Sequence, residues 1–255
     1  MIVSGGEALV DLVPEPVPGG GPMNVAVAAA RLGAPSAFVG RLSTDEHGQR
    51  IRAHLVAAGV DLGAVEPGPE PTATARVEHG PSVVFHFSGE GTADTRLERV
   101  AIDRLGPGPH LVHGGTLGLF RGRTAEVLAS FVEAYDGVVS LDPNVRPGII
   151  DDRGRWMTYH DRWRAVCDVY RGSDEDVEWI WPGRSLDDVA DELLGGRCSM
   201  LAVTRGGEGV RCYTSSGVVE VPAVPVEVVD TVGAGDSFVG GMLAELWRLG
   251  ATTPV

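Results

Sequence analysis

Two rhythms of apolar positions alternate along this chain. The runs 36–39, 111–113, 138–142 and 200–204 are apolar almost throughout, the pattern of strands buried on both faces. Between them, apolar residues recur at three- and four-residue spacing, which predicts helices over 124–135, 156–166 and 186–194. A small-residue helix is expected over 25–32, opened by Asn24 and stopped by Gly33. A second carries Ile51, Leu55 and Val56 on one face and stops at Gly59, and a third is expected over 93–105. Residues 72–77 and 82–87 alternate about His79-Gly80, and 210–213 alternate with 218–221, so both pairs read as hairpins. Near the start, a strand is broken by Gly5-Gly6, resumes over 8–13 and ends in a proline- and glycine-rich loop over 14–22.

Strands that alternate with helices in this way imply one α/β domain over 1–255, with a mostly parallel sheet covered on both faces. Polar loops at 142–146, 204–209 and 230–236 follow the carboxyl ends of expected strands, where open α/β sheets bind their ligands.

The last of these loops is the most informative. A β-rich run over 226–229 leads into a turn with glycines at 233 and 235, then a helix carrying Phe238, Val239, Met242, Leu243, Leu246 and Leu249 on its apolar face. Glycines let a ligand approach the backbone, and the first N–H groups of a helix lack internal acceptors, so this turn is suited to an anion. Asp236 sits inside it. A carboxylate there repels phosphate but suits a base that takes a proton from an attacking hydroxyl; a first-turn acid that merely stabilises the helix is the competing reading.

Composition narrows the chemistry. The formal charge of −14 makes nucleic acid and anionic membrane poor partners. Lysine is absent and all 21 basic residues are arginine, which excludes a Walker-A loop, a protein-kinase strand lysine and Schiff-base chemistry. Cys167, Cys198 and Cys212 are widely spaced, with no CxxC, which fits a reducing cytoplasm and neither a disulfide framework nor a zinc site. The first residues, interrupted by Glu7 and Asp11, do not read as a signal peptide, and no apolar run has the length of a membrane span. A dinucleotide-binding oxidoreductase would need Gly-x-Gly-x-x-Gly, but position 238 is Phe.

Asp230-Thr231-Val232-Gly233-Ala234-Gly235-Asp236-Ser237-Phe238 resembles the C-terminal signature of the ribokinase (PfkB) family of sugar kinases. Gly19-Gly20-Gly21-Pro22-Met23-Asn24-Val25-Ala26, with Arg31-Leu32-Gly33 and Gly40, Asp45 and Gly48, resembles the N-terminal one. The resemblance implies a ribokinase-like three-layer α/β sandwich with a small β lid, built from segments near 8–20 and 70–90, and transfer of a phosphoryl from ATP to a sugar. It implies Asp236 as base and the N–H groups of Gly233, Ala234 and Gly235 as the anion hole, a task of oriented dipoles more than covalent help.

Thr204-Arg205-Gly206-Gly207-Glu208-Gly209 resembles the family's nucleotide loop, which assigns Thr204, Gly206 and Gly209 to ATP together with Thr231 and Ser173; a glycine-rich hairpin turn is the alternative. Ser173-Asp174-Glu175-Asp176 stands where relatives act around magnesium, so Asp176 is the implied Mg2+ residue, although such a run is also a common helix start. A monovalent cation such as K+ is implied beside Asp230. Asp142-Pro143-Asn144-Val145-Arg146-Pro147 and Gly6-Glu7-Ala8-Leu9-Val10-Asp11 resemble the fructokinase branch, and assign Arg146, Asp11, Gly20, Gly21 and Asn24 to the sugar. Within the family, 2-keto-3-deoxygluconate, ribose and nucleosides are alternative acceptors, and a sugar- or nucleotide-binding protein without activity is a further alternative. A homodimer is common among relatives. The stretch between Asp11 and Gly19 and the part after Phe238 are short beside the family pattern, and the segment from Phe85 to Asp94 lacks the Tyr-Arg many fructokinase-like members carry.

Overall fold

The computed structural model describes residues 1–13, 15–79 and 83–251. The chain opens with strand β1 (Ile2–Gly5), crosses to β2 (Leu9–Val13) and β3 (Glu15–Gly19), and enters helix α1 (Gly21–Arg31). There follow β4 (Ser36–Val39), β5 (Arg41–Ser43), α2 (Glu46–Ala57), β6 (Glu66–Gly68), β7 (Ala73–His79) and β8 (Val83–Ser88). The second half alternates strictly: β9 (Leu111–Gly115), α3 (Gly122–Glu133), β10 (Val138–Asp142), α4 (Arg153–Arg164) and β11 (Val169–Ser173). Helices α5 (Asp174–Ile180) and α6 (Leu186–Leu194) precede β12 (Met200–Thr204), the hairpin β13 (Val210–Thr214) and β14 (Gly217–Val221), and finally α7 (Ala234–Arg248).

Eight strands form the central sheet in the order β14-β13-β12-β11-β10-β9-β1-β4, parallel from β12 to β4 and antiparallel at β13 and β14. The apolar runs explain it, because alternate residues of each strand serve opposite faces. Ile2, Leu111, Val138 and Val169 pack with Val25 and Ala29 of α1 and Val239 and Leu243 of α7. Val3, Val112, Val139 and Tyr170 pack on the other face with α3 to α6, through residues such as Leu128, Trp156, Trp163, Val177 and Leu193. The result is the expected three-layer sandwich. A separate four-stranded sheet, β3-β2-β7-β8, forms the lid, and α2 packs between lid and sheet through Ile51 and Leu55. No helix among the described residues is long and apolar enough to cross a membrane.

Five sequence expectations differ from the structure. The helix over 93–105 is replaced by two single turns of 3₁₀ helix, Ala93–Thr95 and Ile102–Leu105. Side chains from elsewhere take its backbone donors: Leu97 N–H bonds Thr124 Oγ1 at 3.0 Å, and the N–H groups of Glu98 and Arg99 bond Glu66 at 3.0 and 3.1 Å. Those acceptors outcompete an i→i−4 ladder. Helix α1 starts at Gly21, so Asn24 lies inside the first turn and does not cap it; Pro22, whose fixed φ suits a first helical turn, sets the earlier start. The expected loop over 14–22 contains β3, held by β2. The run over 226–229 forms no strand, and Val226, Val228 and Val229 stay exposed beyond the sheet edge, with no neighbour to pair. Val56 is exposed, on the opposite side of α2 from Ile51 and Leu55. The turn expected at Gly80 lies outside the described residues.

One contact sets how α7 lies on α1. A Cβ added at Gly240 would sit 2.5 Å from Ala28 Cβ, 3.0 Å from Val25 O and 3.1 Å from Ala29 N. Only the missing side chain lets the helices approach this closely. Gly240→Val is expected to destabilise the protein by about 1–3 kcal/mol in denaturant titrations. An unchanged midpoint would show that the two helices do not need this spacing.

Candidate active site

At the carboxyl ends of the parallel strands, two helix N-termini converge. Gly233, left-handed with φ 73°, turns the chain into α7, and the helix leaves the N–H groups of Gly235 and Asp236 without intrahelical acceptors. Ala234 N–H is directed at Thr231 O, 3.2 Å away, closing the turn itself. Asp236 is buried one turn in. Its Oδ2 accepts from Asn24 Nδ2 of α1 at 2.8 Å, and its Oδ1 from Asn144 Nδ2 at 3.4 Å. Burial pushes its pKa above the ordinary carboxylate value, while the bond from Asn24 and the charges of Arg146 and Arg171 pull it back.

Asn144 is fixed by more than this contact. Its Nδ2 donates to Thr116 Oγ1 at 3.0 Å, and its N–H to Asp142 Oδ1 at 3.1 Å. Both Asn144 (φ 40°) and Thr116 (φ 49°) are left-handed, the only such non-glycine residues among those described. Strain of this kind persists where surrounding contacts over-determine a conformation, which happens most often at functional sites. Gly21 lies against the pair, and a Cβ there would run into Thr116 Oγ1. The first turn of α1 therefore meets the β9 and β10 loops directly.

On the lid side, Asp11 is half-buried on β2 with its carboxylate against Gly19, and burial raises its pKa. Beneath the α1 turn lies a residue that the sequence reading did not assign, Glu7. It is fully buried; Oε1 accepts from Gly21 N–H at 3.0 Å and Oε2 from Gly118 N–H at 2.8 Å. Burial pushes its pKa up to about 8, against the pull of the Gly118 and Gly21 donors.

On the sheet side, Arg171 Nη1 donates to Asp142 Oδ2 at 2.8 Å and its Nη2 to Thr204 Oγ1 at 2.7 Å. Asp142 is buried, and burial raises its pKa to about 7, with Arg171 opposing and Asp176 and Asp236 adding. Arg171 had no signal in the sequence, standing on a strand that the apolar pattern did not mark.

The remaining assigned residues lie further out. Asp176 and Ser173 form a capping box at α5: Ser173 N–H and Oγ both donate to Asp176 Oδ2 at 2.8 Å, and Asp176 N–H returns to Ser173 Oγ at 3.0 Å. Asp176 Oδ1 accepts from Val145 N–H at 2.7 Å, tying α5 to the loop that carries Asn144 and Arg146. Arg146 is exposed, with one Nη1 bond to Val145 O at 3.1 Å. Gly206 and Gly209 shape a 3₁₀ turn closed by Arg205 N–H to Gly209 O at 2.8 Å. Thr231 and Asp230 are exposed, and Asp230 Oδ1 accepts from Val232 N–H at 2.9 Å. Among the described residues, no group of three or more His, Cys, Asp or Glu side chains is placed to hold a metal ion. A cavity of about 510 Å³ beside the lid, lined in part by Phe87, Phe120 and Ile149, does not include Asp236.

With the geometry established, comparison with known proteins is informative. The pfkB family carbohydrate kinase profile matches residues 14–252. A fructokinase of Rhizobium leguminosarum bv. trifolii is 35% identical over 260 residues, covering 96% of this chain and 79% of the relative. The solved fructokinase of Xylella fastidiosa with bound ATP superposes with TM-score 0.88 at 30% identity, over 97% of this chain and 81% of that one. A fructokinase double mutant from Vibrio cholerae O395, solved with fructose, ADP and potassium ion, gives TM-score 0.83 at 27% identity, over 96% and 83%.

The buried carboxyls give stability a definite pH dependence. Glu7 has a folded pKa near 8 against an ordinary 4.5, so between these values the folded chain holds a proton that the unfolded chain has lost. Its contribution is fully present below pH 4.5 and is lost as pH rises through 8; Asp142, raised from 3.8 to about 7, adds the same sign. His113, lowered to about 3, and the Met1 amine, lowered to about 6, contribute the opposite sign, so the Glu7 effect is read from the difference. From pH 5 to 8 the denaturation midpoint of Glu7→Gln should rise relative to wild type. An identical slope in the variant would mean that Glu7 is ionised throughout.

Proposed function

We propose that this chain, which belongs to the pfkB family of carbohydrate kinases, transfers the terminal phosphoryl of ATP to a hydroxyl of fructose with Asp236 as the general base. The observation that carries this reading is the placement of Asp236. Two amides hold its buried carboxylate between the anion-binding turn of α7 and the α1 loop assigned to the sugar. Fructose is the acceptor we favour because proteins named fructokinase are 30–35% identical to this chain over nearly its whole length.

The sugar hydroxyl oxygen attacks the γ-phosphorus and forms the new P–O bond. The bond from phosphorus to the bridging oxygen breaks, its electron pair stays on ADP, and the hydroxyl proton passes to Asp236. Asp236 must be ionised to receive it, and Asn24, Arg146 and Arg171 favour that state against burial. The turn at Gly233, Ala234 and Gly235 supplies oriented dipoles for the charge in flight. Asp11, Gly20, Gly21, Asn24 and Arg146 are assigned to the sugar hydroxyls. Thr204, Gly206, Gly209, Thr231 and Ser173 are assigned to the nucleotide.

Magnesium is assigned to the reaction as MgATP. Asp176 is the carboxylate assigned to that ion, and would have to give up a cap bond to ligate it. Asp230, exposed at the mouth of the turn, is assigned to a monovalent cation.

The decisive measurement is ADP release with fructose and MgATP, alongside a panel of other sugars and ribosides. Asp236→Asn should lower kcat by about 10²–10⁴-fold while sugar binding persists, the range usual for a lost general base. Undiminished turnover in that variant would remove Asp236 from the role.

A further inference from the structure

A single cation is buried beneath the anion-binding turn. The pairing of Leu141 with Tyr170 places Asp142 beside Arg171 on the next strand, on the sheet face covered by α7. Arg171 is 5% exposed, and among the described residues it is the only buried arginine. Asp142 and Thr204 grip one edge of its guanidinium, at 2.8 and 2.7 Å. The other side lies against the first turn of α7: Nη1 and Nη2 are 3.1 Å from where a Cβ on Gly235 would sit, and the central carbon is 5.9 Å from the Phe238 ring centroid. Among the described residues, its buried Nε has no acceptor.

A purely structural ion pair would be expected to satisfy its donors, because an unpaired buried N–H is costly. Here the unsatisfied donor lies on a cation that abuts helical N–H groups without intrahelical acceptors. Asp142, the partner of Arg171, feels the charges of two further buried carboxylates, Asp176 and Asp236, in a chain of net charge −14 without a lysine. A triphosphate approaching it meets strong repulsion unless a fixed positive charge lies close by.

Building on the kinase reading, we infer that Arg171 supplies that charge, drawing the transferring phosphoryl group of a nucleotide onto the Gly233 to Gly235 turn. It acts through the turn, and is therefore a positioning residue. Asp142 and Thr204 orient the guanidinium; an ammonium could not keep both bonds and the same plane.

The test compares wild type, Arg171→Lys, Arg171→Gln and the double variant Arg171→Gln/Asp142→Asn, in which the buried pair is replaced by two neutral amides. Thermal melts identify the variants that fold; the double variant guards against a fold lost to an unpaired Asp142. The expected result is a kcat about 100-fold below wild type in Arg171→Gln and in the double variant, with sugar KM unchanged. Arg171→Lys should fall between. Affinity for MgADP with aluminium fluoride should drop by the same factor, and affinity for MgADP alone should not. Recovery of wild-type kcat in the double variant would make Arg171 only a counter-ion for Asp142 and overturn the inference. So would a change confined to sugar KM. Absence of turnover in the wild type with every sugar would instead overturn the kinase reading, and this inference with it.

Discussion

The structure depends on the contact between α1 and α7. Both helices cover the same face of the sheet, and Gly240 lets them touch at Ala28 and the backbone of Val25 and Ala29. That approach brings Asn24 within 2.8 Å of Asp236, across 212 residues of sequence. Apolar burial drives the packing, through Ile2, Leu111, Val138 and Val169 beneath Val239 and Leu243. The polar pair follows from it: neither residue could find the other without the helices being fixed on the sheet. Since both helices begin at the carboxyl edge of the parallel strands, their partial positive ends add at one place. The site is thus a consequence of the layer architecture, placed where an open α/β sheet concentrates dipoles.

Burying this much charge is expensive, and the fold meets the cost mainly with hydrogen bonds. Among the described residues Glu7 has two backbone donors and no cation partner, so desolvation dominates and its pKa rises. Asp142 has Arg171, yet burial and two neighbouring carboxylates still outweigh that attraction. Asp176 ties α5 to the β10 loop through Val145. These groups stitch loops from β1, β10, β11 and β12 into one rigid wall, which is the condition for holding a reacting group to within a fraction of an ångström.

Much of this was legible in the sequence. The apolar runs marked the buried strands, and 138–142, 186–194 and 200–204 coincide with the observed elements. The glycine turn ending in Asp236 and the Gly-Gly-Gly-Pro-Met-Asn stretch carried the family resemblance. What sequence reasoning missed depends on register or on distant partners. Arg171 lies on β11, a strand that the apolar pattern did not mark, and its meaning lies in standing beside Asp142 on the next strand. Glu7 gains its role from two N–H groups, one of them 111 residues away. The helix expected over 93–105 had the right spacing at Leu97, Ala101 and Leu105, all buried, but Glu66 and Thr124 captured its donors. Left-handed Thr116 and Asn144 carry no local signature at all.

A carboxylate inside an anion-binding turn is a contradiction that the surroundings resolve. Two amides, from Asn24 and Asn144, hold Asp236 in place, and among the described residues no guanidinium forms an ion pair with it. Amides orient a carboxylate without neutralising it; the Asn24 bond lowers the pKa of Asp236, and a direct arginine partner would lower it further and weaken it as a proton acceptor. Arg171 stands one layer away, behind Gly235, paired with a different carboxylate. From there it pulls Asp236 towards the ionised form without occupying its oxygens. On the proposed reading, this separation lets a base and an anion site share one helical turn. The left-handed backbone at Thr116 and Asn144 accompanies this arrangement, in which the Asn144 amide reaches both Thr116 Oγ1 and Asp236 Oδ1.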